Sequence, residues 1–149
     1  GRPDMAPFLF AKAILEGRPI DVFNHGKMLR DFTYVDDIAE GVIRVVDKPA
    51  APSPSFDPLN PDPSTSAAPY RIFNIGNSQP TPLMDYIGAL EEALGMVAEK
   101  NFLPIQPGDV TATSSDTSAL EAWVNFRPRT TVREGVARFA KWYREYYQL

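Results

Sequence analysis

The chain has 149 residues, of which 44% are hydrophobic and 23% are charged, values typical of a soluble globular domain. Its net charge of -4 argues against a nucleic-acid-binding surface, which normally has a stripe of basic residues. The absence of cysteine excludes disulfides, thiolate metal sites and cysteine nucleophiles. A single histidine offers no imidazole cluster for a metal, and no apolar run approaches the roughly 18 residues of a membrane span. We therefore expect a cytoplasmic protein that binds no nucleic acid, membrane or metal.

The beginning of the chain, Gly1-Arg2-Pro3-Asp4, stands directly before a predicted helix. A domain rarely begins so close to its first helix, and we expect these residues to follow an earlier segment of a longer chain. The helix itself is predicted by the helical spacing of Phe8, Ala11 and Leu15. Pro7 is suited to its first turn and Gly17 to its C-terminal cap.

Two short strands and a second helix are predicted next. Ile20–Asn24 reads as a strand, His25-Gly26 as a turn, and the alternation in Asp31–Val35 as a second strand. Asp37 is suited to capping the following helix, with Glu40 at the capping-box offset. The apolar stripe of that helix is Ile38, Val42 and Val45.

Residues 49–69 contain seven of the fifteen prolines and few residues that could form a core. Such a stretch predicts an exposed, extended loop, and we interpret it as a surface insertion. Disorder and a partner-binding role are the two alternatives that composition leaves open.

The second half predicts short strands that alternate with helices. Strands are expected at 70–76 and 102–105, with a helix from Thr81-Pro82 to Gly95 between them. Two more helices are predicted, the first capped by Asp116, and the last starting at Thr131 with Glu134 at the capping-box offset. The fold class is therefore mixed α/β, a small lobe whose strands are too few for a freestanding doubly wound sheet.

Several kinds of catalytic equipment are missing from the sequence. It has no G-x-G-x-x-G loop for a dinucleotide, no Walker-type phosphate loop, and no tyrosine followed four residues later by lysine. A Ser-His-Asp arrangement would have to use His25, which is more simply a turn residue.

Four features remain as candidates for a ligand site, each beside a structural alternative. Arg2 could bind an anion at the N-terminus of the first helix, or it could simply be a solvated arginine. Arg30 could donate two hydrogen bonds to phosphate oxygens, or it could form a salt bridge with a nearby carboxylate. The turn Gln106-Pro107-Gly108-Asp109 could present an amide and a carboxylate to sugar hydroxyls, or be purely structural. Phe23 could pack on a planar base, or belong to the core.

The order of these motifs resembles the C-terminal part of extended short-chain dehydrogenases that epimerise nucleotide sugars, and most of all bacterial UDP-glucuronate 4-epimerases. The motifs that carry the resemblance are Gly1-Arg2-Pro3-Asp4-Met5-Ala6, Arg30-Asp31-Phe32-Thr33-Tyr34-Val35, Phe73-Asn74-Ile75-Gly76, Gln106-Pro107-Gly108-Asp109-Val110 and Arg127-Pro128-Arg129-Thr130. The resemblance covers essentially the whole chain.

The resemblance implies a substrate-binding lobe, residues 1–149, that holds a UDP-sugar such as UDP-glucuronate or UDP-galacturonate. In the family, an N-terminal Rossmann domain binds NAD and supplies the catalytic tyrosine and lysine. That domain is absent here, so no catalytic or cofactor-binding residue is expected in this chain. The intact enzyme, expected to be a homodimer, would oxidise C4, let the 4-keto sugar rotate and reduce it again, whereas the chain alone would be inactive.

Four residue roles follow from the resemblance. Arg30 would bind the pyrophosphate, Phe23 would lie near the uracil, and Asp109 with Gln106 would lie near the ribose. Arg2 would lie near the phosphates or the sugar end.

Two other functions stay open at this point. The chain could be the substrate lobe of a related dehydratase, decarboxylase or other epimerase, or a non-catalytic interaction module that keeps the lobe as a scaffold. The lobe is also expected to expose an apolar face where the Rossmann half would dock.

Overall fold

The structure is a computed structural model, and it describes residues 4–149. Five helices and four short strands are present in that range, which confirms the mixed α/β class. The helices are α1 Ala6–Leu15, α2 Val35–Asp47, α3 Leu83–Leu94, α4 Ser118–Val124 and α5 Val132–Tyr147; the strands are β1 Ile20–Val22, β2 Leu29–Arg30, β3 Thr81–Pro82 and β4 Lys100–Phe102.

The chain divides into two compact units. The first consists of residues up to 32, 79–114 and 130–149, and the second of residues 33–78 and 115–129. Strand β1 pairs in parallel with β4, and β2 pairs antiparallel with β3, all within the first unit.

The core of the first unit is built from α1, α3 and α5 together with β1. Helix α3 contributes Ile87, Leu90 and Leu94, which are almost completely buried, because apolar residues three and four apart share one helix face. Helix α5 packs Val136, Ala140 and Tyr143 into the same cluster.

Helix boundaries follow the expected caps at three places. Gly17 and Gly95 follow α1 and α3 with φ of 66° and 65°, the left-handed conformation that glycine adopts without a Cβ penalty. The Thr131 hydroxyl accepts a hydrogen bond from the Glu134 amide at 3.2 Å and so caps α5. These predictions are confirmed.

Strand boundaries in the first half differ from the predictions. The predicted strand Ile20–Asn24 ends at Val22. Asn24 and His25 have φ near 50°, which no strand permits, and Phe23–Gly26 forms a short 3₁₀-type turn with left-handed backbone at its two central residues. His25 is therefore a turn residue, as expected.

The prediction of a strand at Asp31–Val35 is wrong. The strand is Leu29–Arg30, and helix α2 begins at Val35 with Tyr34 as its N-cap. Asp37 therefore lies inside the first turn instead of capping it, and its carboxylate accepts a hydrogen bond from the Arg129 amide at 3.2 Å.

Two other strand predictions need correction. Residues 70–76 contain only an isolated bridge between Thr65 and Arg71, since the backbone there bonds to the preceding loop. The strand expected at 102–105 is β4, Lys100–Phe102, because it follows the register of its partner β1.

Residues 49–69 form a largely exposed loop without helix or strand, folded on itself by local hydrogen bonds. The Ser53 amide donates to the Ser66 carbonyl at 2.9 Å, and Asp62 accepts from the Ser64 amide at 2.8 Å. The amide and hydroxyl of Ser64 together lower the pKa of Asp62 below its ordinary value.

Trp123 holds the two ends of this loop. Its indole Nε1 donates to the Lys48 carbonyl at 3.0 Å, and the Lys48 ammonium donates back to the Trp123 carbonyl. The Lys48 ammonium and the Arg71 guanidinium lie 4.7 and 4.6 Å from the centre of the indole ring, within cation–π range.

Candidate functional site

Two segments of the first unit run side by side, separate, and meet again. Strands β1 and β4 pair with Ile20 opposite Lys100, and a parallel bridge later joins Leu29 to Ala112. Leu29 lies nine residues after Ile20, whereas Ala112 lies twelve after Lys100, so the second segment holds three extra residues. Both segments leave the regular strand pairing and bulge between these two points, where the His25 amide donates to the Leu103 carbonyl at 3.0 Å.

Each bulge carries a motif that the sequence singled out. The first is the 3₁₀ turn Phe23–Gly26, and the second contains the turn Gln106–Asp109, closed by a hydrogen bond from the Asp109 amide to the Gln106 carbonyl at 3.1 Å. Gly108 has a φ of 84° in this turn, which any side chain would strain.

Arg30 directly follows the Leu29–Ala112 bridge, on a strand held from both sides. Strand β2 pairs with β3 through Arg30 and Thr81, and the amide of Leu29 donates to the Thr111 carbonyl at 2.9 Å. The backbone position of Arg30 is therefore fixed by neighbours on two separate stretches of chain.

The side chain of Arg30 reaches the second bulge directly. Its guanidinium donates to the Oδ1 of Asp109 at 2.9 Å and to the Leu29 carbonyl at 3.0 Å. The two charged side chains keep 24% and 34% of their surface exposed, so both remain accessible to a ligand. A guanidinium can bind phosphate oxygens and a carboxylate can accept from hydroxyls, and the pair presents both chemistries at one point.

The residues after Arg30 anchor it. The Asp31 amide donates to the Thr113 hydroxyl at 3.1 Å, and the Asp31 carboxylate accepts from the Gln79 amide at 3.3 Å. Phe32 stacks on Tyr86 with ring centroids 4.4 Å apart. Burial raises the pKa of Tyr86, which keeps this phenol neutral.

The supporting roles of Asp31 and Thr113 were not predicted. Asp31 belongs to the Arg-Asp-Phe motif, so the sequence singled it out, but the motif did not predict its hydrogen bonds to Thr113 and Gln79. Thr113 lies in no motif and, being 82 residues from Asp31, had no signal in the sequence.

The other predicted site residues are placed as follows. Phe23 begins the first bulge beside Leu103, whose amide donates to the Val22 carbonyl at 3.0 Å. Within residues 4–149, no ring or cation–π contact joins Phe23 to the Arg30–Asp109 pair. Gln106 lies in the second bulge with Asp109, and Arg2 lies outside the described residues.

Two cavities of the first unit lie elsewhere. One, of about 480 Å³, runs between α1 and α5 and is lined by Phe8, Leu9 and Tyr147. The other, of about 520 Å³, lies near Met84 and Arg133 at the beginnings of α3 and α5. Neither cavity is lined by Arg30 or Asp109. The candidate site is identified by the contact between these two charged side chains.

The described residues contain no cluster of three or more histidine, aspartate or glutamate side chains that could hold a metal ion. Across residues 4–149, no helix is both long and apolar enough to cross a membrane.

In the second unit, helix α2 has two apolar faces. Gly41 lies against Ile75 and Phe126, so the inner face is covered. The outer face is exposed, and the residues that form it at helical spacing are Val35, Ala39, Val42, Ile43 and Val46.

Known proteins that resemble this chain agree on one family. A family model described as the NAD dependent epimerase/dehydratase family matches residues 1–76. Protein CapI of Staphylococcus aureus is 50% identical over 99% of the chain, and a probable UDP-glucuronate 4-epimerase of Rhizobium meliloti is 44% identical over 99% of it. The chain spans 44% of the length of each of these relatives.

A solved structure adds the same fold. A mutant UDP-glucuronic acid 4-epimerase from Bacillus cereus, in complex with UDP-4-deoxy-4-fluoro-glucuronic acid and NAD, matches 98% of this chain with a TM-score of 0.78 and 27% identity. The match covers 41% of that protein. With half of its residues matched by the family model, the chain belongs to the NAD dependent epimerase/dehydratase family.

Proposed function

We propose that this chain binds the UDP portion of a nucleotide sugar as the substrate-binding part of an NAD-dependent UDP-glucuronate 4-epimerase. The observation that carries the proposal is the Arg30–Asp109 pair, which brings together a cation that can bind phosphate, on strand β2, and a carboxylate that can accept from hydroxyls, in the second bulge. The names of the curated relatives and the ligand of the solved structure support the choice of UDP-glucuronate.

Each site residue has a distinct task under this proposal. The guanidinium of Arg30 binds diphosphate oxygens, and the carboxylate of Asp109 accepts hydrogen bonds from ribose hydroxyls, with Gln106 beside it. Phe23, at the start of the first bulge, provides an apolar surface for the uracil ring. Arg2 contributes near the phosphates or the sugar.

Binding of the nucleotide supports the reaction at the hexose without contacting the reacting carbon. C4 inversion requires a hexose that presents both of its faces in turn, so binding energy must come from the part of the substrate that does not react. A lobe that holds the nucleotide and leaves the hexose loose satisfies this requirement. We assign the C4 inversion to the full-length enzyme and expect the chain alone to be inactive.

We infer that NAD binds outside the described residues. A dinucleotide site needs a parallel strand that leads through a glycine-rich turn into a helix N-terminus. Here β1 leads into the 3₁₀ turn Phe23–Gly26, and β4 leads into the Gln106–Asp109 segment, with no helix directly after either. We therefore place NAD and the catalytic tyrosine and lysine on the remainder of the enzyme; a homodimer and a cytoplasmic location stay predictions for it.

Binding of UDP to Arg30→Ala tests the proposal. In the full-length protein, loss of this guanidinium should weaken UDP binding by about 1.5–3 kcal/mol, the usual scale of a hydrogen bond to a charged group. Titration calorimetry with UDP measures the effect, and Arg133→Ala, which removes an exposed arginine paired with Glu92, is the matched control. Equal affinities for wild type and Arg30→Ala would remove Arg30 from the site.

A second measurement tests the assignment of the chemistry. The 149-residue chain mixed with UDP-glucuronate and NAD should give no UDP-galacturonate by NMR. Turnover by this chain alone would show that it holds the catalytic groups that we assign elsewhere.

A further inference from the structure

The turn Phe23–Gly26 has a strained backbone. Asn24 and His25 have φ of 50° and 49°, and Gly26 has φ of 78°, so three consecutive residues lie in the left-handed region. Two residues with side chains adopt this conformation in succession only at a cost, because each Cβ comes too close to the following carbonyl oxygen. Such strain persists only where the surrounding groups hold it, and it is concentrated at functional sites.

Hydrogen bonds hold the turn from two sides. The His25 amide donates to the Leu103 carbonyl at 3.0 Å, and the Leu103 amide donates to the Val22 carbonyl at 3.0 Å. The Lys27 amide donates to the Asn24 carbonyl at 2.9 Å, and the side-chain amide of Asn24 donates to the Lys27 carbonyl at 2.7 Å. Asn24 and Lys27 therefore close the turn with a reciprocal pair of hydrogen bonds.

The turn is also tied to the buried interior of the first unit. Gly26 is buried, and a Cβ at this position would lie 2.7 Å from the Sδ of Met84, in the first turn of α3. The side-chain amide of Asn24 makes a second contact, at 3.6 Å, with the Sδ of Met28, which is also buried. Asn24 thus connects the turn both to its own end and to the interior.

Phe23 directly precedes the left-handed residues. Val22 before it is completely buried, whereas Phe23 is half-buried. A phenylalanine ring has only two side-chain torsions, so its position depends closely on the backbone that carries it. The conformation at Asn24 therefore sets the direction in which the Phe23 ring leaves the end of β1.

We propose that Asn24 is a positioning residue, whose side-chain amide holds the strained turn in the conformation that presents the Phe23 ring to the uracil of the ligand. Asparagine suits this role because it tolerates left-handed backbone and also supplies a hydrogen-bond donor. Glycine tolerates the same backbone but has no donor. This inference rests on the proposed function, since it takes Phe23 to contact the base.

The substitution Asn24→Gly separates binding from stability. It relieves the backbone strain and removes the side-chain donor, so the two effects on stability oppose each other and the melting temperature should stay within about 3 °C of wild type. UDP should bind the variant about five- to tenfold more weakly, the scale of one lost hydrogen bond. Thermal melts and titration calorimetry of the full-length protein measure the two changes.

Asn125→Gly is the matched control. Asn125 also has left-handed backbone, with φ of 50°, and it caps the C-terminal end of α4 in the second unit, whereas Phe23 belongs to the first. Its replacement by glycine relieves the same strain and should leave UDP affinity unchanged. If Asn24→Gly does not fold, Asn24→Asp keeps the size of the side chain without the donor, and the same loss of affinity is expected.

A double-variant cycle tests whether Asn24 acts through Phe23. Phe23→Ala should weaken UDP binding, and adding Asn24→Gly or Asn24→Asp to it should cause less than about a twofold further loss, because no ring remains to be positioned. A purely structural defect, or repulsion by the aspartate charge, would add its full effect to that of Phe23→Ala. Full additivity, or unchanged UDP affinity for the Asn24 variants alone, would overturn the inference.

The outcomes also separate this inference from the proposed function. A wild-type protein that does not bind UDP would overturn the proposed function itself. If wild type binds UDP and Phe23→Ala weakens it while Asn24→Gly does not, only the role of Asn24 is lost. If Phe23→Ala binds UDP as tightly as wild type, Phe23 leaves the proposed site and the inference is overturned with it.

Discussion

The two units of the chain differ in how many helices share one buried apolar cluster. In the first unit, one continuous cluster joins α1, α3 and α5, and Leu90 at its centre is completely buried. In the second unit, the outer face of α2 stays open, with Val35 and Val46 exposed to 66% and 70%. Scattered exposed apolar residues are ordinary, whereas a contiguous stripe along one helix marks a surface that normally has a partner.

The first unit therefore contains the main buried core, and the second unit contains an exposed apolar surface on α2. The candidate ligand pair belongs to the first unit, which has the complete core and can hold two side chains in fixed positions. The open stripe belongs to the second unit and matches the expected docking face for the Rossmann half. That assignment stays a prediction. The three variants below test the contrast between the two units, from the largest expected effect to the smallest.

The largest effect should come from the core of the first unit. Leu90→Ala removes a completely buried side chain and should lower the free energy of unfolding by about 2–5 kcal/mol, through lost burial and the cavity left behind. Urea denaturation measures it. Val42→Ala, on the open face of α2, is the matched truncation and should cost less than about 0.5 kcal/mol. Comparable losses for the two variants would contradict the contrast between the units.

An intermediate effect should come from the Glu91–Lys100 ion pair of the first unit. The Glu91 carboxylate accepts from the Lys100 ammonium and, at 2.8 Å, from the Ala98 amide, and its side chain is four-fifths buried. Burial raises the pKa of Glu91, but these two hydrogen bonds and the lysine charge outweigh it, so the pKa lies below the ordinary value of 4.5. At pH 7, Glu91→Gln should therefore cost about 1–2 kcal/mol of unfolding free energy.

The sign of the pH dependence follows from the lowered pKa. The stabilisation is complete above the pKa of the unfolded state and is lost as the pH falls through the lower pKa of the folded state. The difference between wild type and Glu91→Gln in thermal melts should shrink as the pH falls below 4.5. Glu40→Gln, in an exposed pair with Arg44 on α2, should change stability by less than about 0.5 kcal/mol at either pH. A gap that widens in acid would refute the lowered pKa.

The smallest effect on stability should come from the open stripe itself. The double variant Val42→Ser and Val46→Ser should leave the unfolding free energy of the 149-residue chain within about 0.5 kcal/mol of wild type, since both side chains already face solvent. It should reduce concentration-dependent self-association in sedimentation experiments, because less apolar surface is exposed. A substantial loss of stability would show that the stripe is needed by the chain itself.

Local signals in the sequence were sufficient to locate the helices, but not every helix start and not the strands: Asp37 lies inside α2, and Thr81-Pro82 forms β3 ahead of α3. Pro7 and Gly17 around α1, and Thr131 with Glu134 at α5, act within a few residues and were read correctly. The strand at Asp31–Val35 failed because alternation over five residues also fits an irregular stretch that leads into a helix, and here tertiary packing of Phe32 on Tyr86 decided the conformation.

For the site, the residue types were predicted and their pairing was not. Arg30 and Asp109 were each singled out, and a carboxylate partner for Arg30 was one of the alternatives. Their contact joins positions 79 residues apart, and it depends on the three extra residues in the second bulge. No local pattern encodes such a register, so only the folded chain could show that the two motifs meet.

The indole of Trp123 contacts both Lys48, just before the proline-rich loop 49–69, and Arg71, just after it, and so holds the two ends of the loop together. Because both ends are held at one ring, we expect that residues can be added to or removed from the middle of this loop with little strain on the rest of the polypeptide. It is therefore the natural position for an epitope tag or a fluorophore, provided that the tryptophan and its two cationic neighbours are kept.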